Sequence, residues 1–413
     1  MADKGQPSTR RKVLTAAAAM GVAPAIEGCA MFGARNRGPL VGMEYETWFT
    51  CAMGGAPGVA AIQAEAQRKR AALSASVKGV KLNDPHLAVD LGALALTAED
   101  VDGKCPGRPA AGWNGREATP VLGTYESSNP KVIRQHAAWI AGAGVDFVLI
   151  DWSNNFGANW SNGVALGIMA ATYNLALTYR KLTHRPKFCL LLGLDGGHAA
   201  TARFQQQVDM IWTLFLQPTA LRHLYQEFLG KPLLTVFTGP RWTPHPSWSD
   251  PRFTVRWVNG FNETTHGNRL GYWSWIDRAP QVTYRAVTGA HGKTTRVAEA
   301  VTVAAGWPGG GPKARHGWGK GGRDHGRTYM DQWAVAFRVR PEVVLLCQWN
   351  EFNQPDQYSV ELSNDMEPTS LHGFGAHGDG GWGTYYLDLT SRMVHAIKAG
   401  HPQPRVRLNP AMP

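Results

Sequence analysis

The chain has 413 residues, enough for one large barrel domain or two ordinary ones. Apolar residues make up 44% and charged residues only 18%, below the roughly 25% usual for globular proteins, which excludes a largely disordered chain. The net charge is +11, and residues 1–28 hold four basic side chains against two acidic ones, so most of the excess belongs to the remainder. Such a protein could meet uronate or sulfated glycans, envelope phosphates or nucleic acid, but no nucleic-acid-binding module accompanies the charge, which sets nucleic acid aside. The 47 glycines and 16 tryptophans suit many loops and exposed rings, as on a sugar-binding surface, although any single Trp is more readily explained as core.

The N-terminus reads as a targeting segment, residues 1–28. Ser8-Thr9-Arg10-Arg11-Lys12-Val13-Leu14 precedes a mild apolar run, Thr15 to Ala25, and resembles a twin-arginine export signal. The run is too short and Ala-rich for a stable membrane span. Gly28-Cys29 resembles a lipoprotein cleavage site with Cys29 acylated, which would attach the protein to a membrane. Glu27 fits that pattern poorly, and simple cleavage nearby is the alternative. The expected location is exported: periplasm or cell envelope. Residues 29–39 read as a linker, 40–400 as the main domain and 401–413 as a loose, proline-containing tail.

Leu40 to Phe49 reads as the first strand, with Glu44 and Glu46 on one face by the period of two. A long insertion follows, Thr50 to Gly115, with one expected helix from Val59 to Ser74. Cys51 and Cys105 lie near its two ends and could pair in an oxidising compartment, contributing ~3 kcal/mol if unstrained. Asn129 can cap a helix whose first turn carries Pro130, with Val132, Ile133, His136, Ala137 and Ile140 on one stripe and Gly142 and Gly144 ending it. A lone His136 there is most simply a core residue. Val145 to Ile150 is the second strand, ending in Asp151-Trp152-Ser153-Asn154-Asn155.

The alternation continues with a helix at Gly163–Leu182 and a strand at Lys187–Leu194 that ends at Asp195. Helices are expected at Thr201–Leu216 and Thr219–Leu229. Strands four to seven are Leu233–Thr238, Phe253–Val258, Leu270–Ile276 (followed by Asp277) and Val297–Ala305. A glycine-rich loop leads into helix Thr328–Val339, strand eight is Val343–Gln348, and Gly383–Ala399 is a closing helix. Eight strand candidates alternating with helices or long loops define a (β/α)₈ TIM barrel with a long insertion after strand 1. Cys189 and Cys347 fall in apolar strands and read as buried thiols.

Strand eight turns abruptly polar at Gln348, Trp349, Asn350 and Glu351, and Asp356, Glu361, Asp365 and Glu367 follow. Barrels of this kind place their chemistry past the C-terminal strand ends. Glycoside hydrolysis needs a proton donor for the leaving oxygen and a carboxylate to stabilise the cationic sugar. Glu351 is the leading catalytic candidate, with Glu361 as acid. Glu44, Glu46, Asp151, Asn154, Asp195, Asp277, Asn350, Tyr125 and Glu367 are candidates to bind hydroxyls. Trp48, Trp152, Trp275 and Trp349 are candidate platforms for sugar faces. The glycine-rich loop lacks the phosphate-loop spacing, and no Gly-x-Ser-x-Gly elbow is present. His372, His377 and Asp379 match no standard zinc spacing, so neither a metal nor another cofactor is expected.

Two stretches carry a resemblance. LGTYESSNPKVIRQHAAWIAGAGVDFVLIDWSNN, from Leu122, resembles the first helix and second strand of glycoside hydrolase family 99 and related exported sugar-active barrels. WNEF followed by MEP resembles the family's strand-eight motif. The likeness spans roughly residues 41–395, through short motifs. It implies a (β/α)₈ endo-α-mannosidase or endomannanase acting with retention on a carbohydrate oligomer or polymer; the net charge adds the expectation of an acidic one. Glu351 matches the carboxylate that assists through the sugar 2-hydroxyl. The family's acid/base Glu, three residues further on, is replaced here by Gln354, and Glu361 and Asp356 are the nearest substitutes. Three readings follow: a glycosidase, a silent glycan-binding lipoprotein, or a metal-dependent deacetylase or lyase.

Overall fold

The computed structural model describes residues 38–49, 118, 120–123, 125–153, 163–194, 198–238, 244–259, 268–275, 281–306, 322–352, 363–371 and 381–412. Expectations for the signal segment, Cys29, the long insertion and the Cys51–Cys105 pair lie outside them.

The strands are β1 (Leu40–Tyr45), β2 (Phe147–Trp152), β3 (Lys187–Gly193), β4 (Glu227–Phe228), β5 (Lys231–Phe237), β6 (Thr254–Asn259), β7 (Trp273–Ser274), β8 (Thr283–Thr288), β9 (Thr294–Ala304) and β10 (Val343–Cys347). The helices are α1 (Pro130–Gly142), α2 (Gly163–Arg180), α3 (His198–Ile211), α4 (Thr219–Arg222), α5 (Arg327–Val339) and α6 (Tyr385–Lys398). Eight strands run parallel in the order β7-β6-β5-β3-β2-β1-β10-β9. They are the eight expected from the sequence. β10 is buried at every position, as a strand covered on both faces requires.

The two ends of this sheet meet through side chains rather than a ladder. Thr302 Oγ of β9 donates to the Ser274 carbonyl of β7 at 2.5 Å. Glu299 of β9 accepts two hydrogen bonds from Arg256 of β6, at 2.6 and 2.8 Å, and one from the Trp273 indole at 2.7 Å. The barrel is thereby nearly closed on its weakest side, where β7 is only two residues long.

Helix α1 forms as its sequence dictates. The Asn129 side chain accepts from Lys131 N at 2.9 Å, Pro130 starts the helix where no N–H is needed, and the expected apolar stripe is the buried one. Gly144, at φ +84°, supplies the left-handed turn into β2. On β1, Gly42 leaves room for the Phe147 ring, which a Cβ would meet at 2.3 Å.

Three expectations need correction. The helix expected at Thr219–Leu229 stops at Arg222. Leu229 and Gly230 both take positive φ (52° and 81°), as a two-residue hairpin loop requires, so Glu227–Phe228 pairs with Lys231–Pro232 instead. A strand was missed: β8 pairs antiparallel with β9 outside the barrel, its alternating exposure masked in the sequence by Thr and Arg. The tail expected to be loose is tied down. His401 O accepts from Arg340 at 2.6 Å, and Gln403 donates to Met330 O at 2.9 Å.

Candidate active site

β1 divides its side chains between two layers. Tyr45 points out to α1, where its hydroxyl lies 2.8 Å from His136 Nδ1. Glu44 points into the barrel and lines a small interior cavity with Leu149, Ser274, Trp275, Thr302 and Cys347. Period two places Glu46 on the same side, one step nearer the C-terminal rim. β2 ends at Asp151, whose Oδ1 accepts from Ser153 N. One carboxylate oxygen from each of Glu44, Glu46 and Asp151 lies within 4.8 Å of the others, and all three residues are buried.

β10 delivers the remaining groups. Asn350 grips the Glu46 backbone, accepting from its N–H at 2.8 Å and donating to its carbonyl at 3.1 Å. This side chain continues the β1–β10 pairing past the end of the strands. Glu351, next along, is half-buried. Its Oε2 accepts from Gln348 Nε2 and its N–H donates to Asp365. Asp365 also accepts from Phe352 N at 3.1 Å and Ser363 Oγ at 2.7 Å. Arg323, fully buried over the Trp382 ring, donates to the Asp365 carbonyl oxygen at 2.7 Å. The segment after 363 thus folds back as a clasp around residue 351.

The electrostatics follow from crowding acids in a dry place. Burial, then the charges of Glu44, Asp365 and Asp151, push the Glu351 carboxyl well above its ordinary range, against a pull from the Gln348 hydrogen bond. Burial, then Asp151, raise Glu44, whose Oε2 also accepts the Cys347 thiol at 2.7 Å. Burial, then Asp151, Glu351 and Glu44, raise Glu46. Asp151 is raised by burial, with Ser153 pulling against it. Burial also raises Asp365, countered by Ser363, Arg323 and the two backbone donors.

The structure brings Glu44, Glu46, Asp151, Asn350 and Glu351 together around the rim. It places four other candidates differently. Glu367 is fully buried, with both oxygens engaged by Tyr125 and His136, so it holds the walls in register rather than facing a ligand. Tyr125 is its donor and is equally buried. Trp152 and Trp349 are core: the Trp152 indole donates to Thr172 Oγ at 2.9 Å, and Trp349 has no exposed surface. Neither can present a face to a sugar. Trp48 and Trp275 are only partly buried and remain open for that role. Glu361, Gln354, Asp356, Asn154, Asp195, Asp277, His372, His377 and Asp379 lie outside the described residues. Sequence reasoning passed over Gln348, Ser363 and Asp365 as site residues. The signal was the Ser-x-Asp spacing just before the Met-Glu-Pro stretch.

No protein-family model matches the chain, and no curated protein matches it. Solved structures do. The glycoside hydrolase family 99 endo-α-mannosidase from Bacteroides thetaiotaomicron, in complex with BIS-TRIS-propane, superposes with a TM-score of 0.50 at 15% identity, over 87% of this chain and 98% of that one. A second structure of that enzyme gives 0.47 at the same identity and coverage. A glycoside hydrolase-like protein gives 0.41 at 15% identity, over 68% of this chain and 91% of that one. The first of these similarities establishes a shared fold, the (β/α)₈ barrel of a family 99 enzyme, as the sequence motifs implied.

Proposed function

We propose that this chain is a glycoside hydrolase acting on an oligosaccharide or polysaccharide, with Glu351 moving the proton at the barrel mouth. The observation that carries the reading is the position of Glu351. It is a half-buried carboxylate at the C-terminal end of a barrel strand, oriented by Gln348 and by the backbone grip of Asp365. A raised carboxyl is a stronger base when ionised and a proton donor nearer neutral pH, which suits transfer to or from a sugar oxygen. Asp151 and Glu46 stand beside it to bind hydroxyls, and Trp48 and Trp275 offer ring faces.

The mouth is rich in carboxylates, which repel an anionic sugar at the reacting centre. We therefore favour a neutral glycan there, despite the basic chain. The structural neighbour is an endo-α-mannosidase, so α-mannosides are the first substrates to try. Export through the twin-arginine segment and anchoring at Cys29 fit a glycan met outside the cytoplasm. The test is release of reducing ends from a panel of neutral and acidic glycans. Absence of any product across that panel, from a folded protein, would remove the reading. Gln354, standing where the resemblance expects an acid, supports a second one, a silent glycan-binding protein. It predicts saturable binding with no product on prolonged incubation.

A further inference from the structure

We propose that Glu44, Glu46 and Asp151 together bind a divalent cation of the calcium type. Their carboxylate oxygens converge to within 4.8 Å of one another, from the ends of two adjacent strands. Calcium accepts irregular cages of carboxylate oxygens at about 2.3–2.6 Å, whereas magnesium demands near-octahedral geometry at about 2.0–2.1 Å and keeps most of its waters. The donors are hard oxygens. Three carboxylates without a histidine among them suit calcium better than zinc.

A second observation points the same way. Glu44 Oε1 and Glu46 Oε1 have no hydrogen-bond partner among the described residues, although these residues are only 4% and 2% exposed. A buried carboxylate oxygen without a donor is costly unless something positive meets it. Among the described residues no lysine or arginine forms an ion pair with any of the three. Arg323, the nearby cation, is committed to the Asp365 side of the clasp. One cation held by the cluster would relieve the repulsion among the three groups and give the unpartnered carboxylate oxygens a positive neighbour. The ion would meet the sugar hydroxyls proposed for Glu46 and Asp151, but the inference does not depend on the glycosidase reading, because binding is measured without turnover.

The experiment uses the whole chain stripped with a chelator, then titrated calorimetrically with calcium chloride and, separately, magnesium chloride. Thermal unfolding is followed in parallel. The expected result is one calcium ion per chain, weaker magnesium binding, and a midpoint raised by a few degrees at saturating calcium. Glu46→Gln and Asp151→Asn should each weaken calcium at least about tenfold. Without metal these variants should unfold no earlier than the parent, since they remove buried repulsion; this separates a lost site from a lost fold. Absence of calcium heat and of any midpoint shift overturns the proposal. Undiminished calcium binding in the Glu46→Gln, Asp151→Asn double variant overturns it too, as does a midpoint raised by glucosamine but not by calcium, which would make the site one for an ammonium group.

Discussion

His136 Nε2 lies 3.0 Å from Glu367 Oε1, and neither side chain reaches solvent. The pair joins α1 to the clasp that follows β10, across 231 residues of sequence. Tyr45 closes the other ring nitrogen of His136, Tyr125 closes the other oxygen of Glu367, and Asn350 donates to Tyr125 at 2.9 Å. Five polar residues thus carry register from the outer helix to the residue beside Glu351. A Glu367→Gln variant keeps the shape but must turn an amide N–H toward one of two donors. Its expected loss is about 1–3 kcal/mol, read by urea unfolding. A loss below the error of that measurement would mean the network carries no load.

The pH dependence of stability has a definite sign. Glu351 and Asp365 are raised in the folded chain, by burial first and by neighbouring charge in the case of Glu351. The protonated form is therefore the one that folding favours. Stability from this source is fully present below the ordinary carboxylate pKa of about 4 and is lost as the pH rises through the raised folded values. Glu351→Gln should match the parent near pH 4 and gain on it toward pH 8, measured as the difference in unfolding midpoints. A difference that stays constant, or runs the other way, would show that Glu351 is not held in a raised state.

Much of the barrel is legible in the sequence, because β2, β3 and β10 are near-continuous apolar runs that stop at polar residues or glycine. The Asn129-Pro130 start and the stripe through His136 specify α1 almost to the residue. Glu44, Asp151 and Glu351 are legible as strand-end acids. Burial is not. Trp152 and Asp151 are neighbours, yet the indole turns to the α2 layer while the carboxylate reaches the rim, and no local pattern separates them. The hairpin at Leu229-Gly230 escaped because its flanking residues also suit a helix. Asp365 escaped because its role is to hold backbone fourteen residues away, a long-range contact that spacing does not encode.

The four indoles should separate by phenotype. Trp152→Ala empties a filled core site and should cost roughly 3–5 kcal/mol, visible in denaturant unfolding. Trp275, partly exposed over the cavity that Glu44 lines, should behave differently. Its replacement by Ala should raise KM several-fold on a cleaved glycan, at a smaller cost in stability. Equal stability losses and an unchanged KM would remove Trp275 from the binding surface.

The most direct measurement is turnover by Glu351→Gln beside the parent, on whichever glycan the parent cleaves, with both proteins shown to be folded. The side chain keeps its size and its contact with Gln348 but cannot exchange a proton. A fall in kcat of about 10²–10⁴-fold is the predicted result. Parental turnover in the variant would contradict the assignment of proton transfer to this residue.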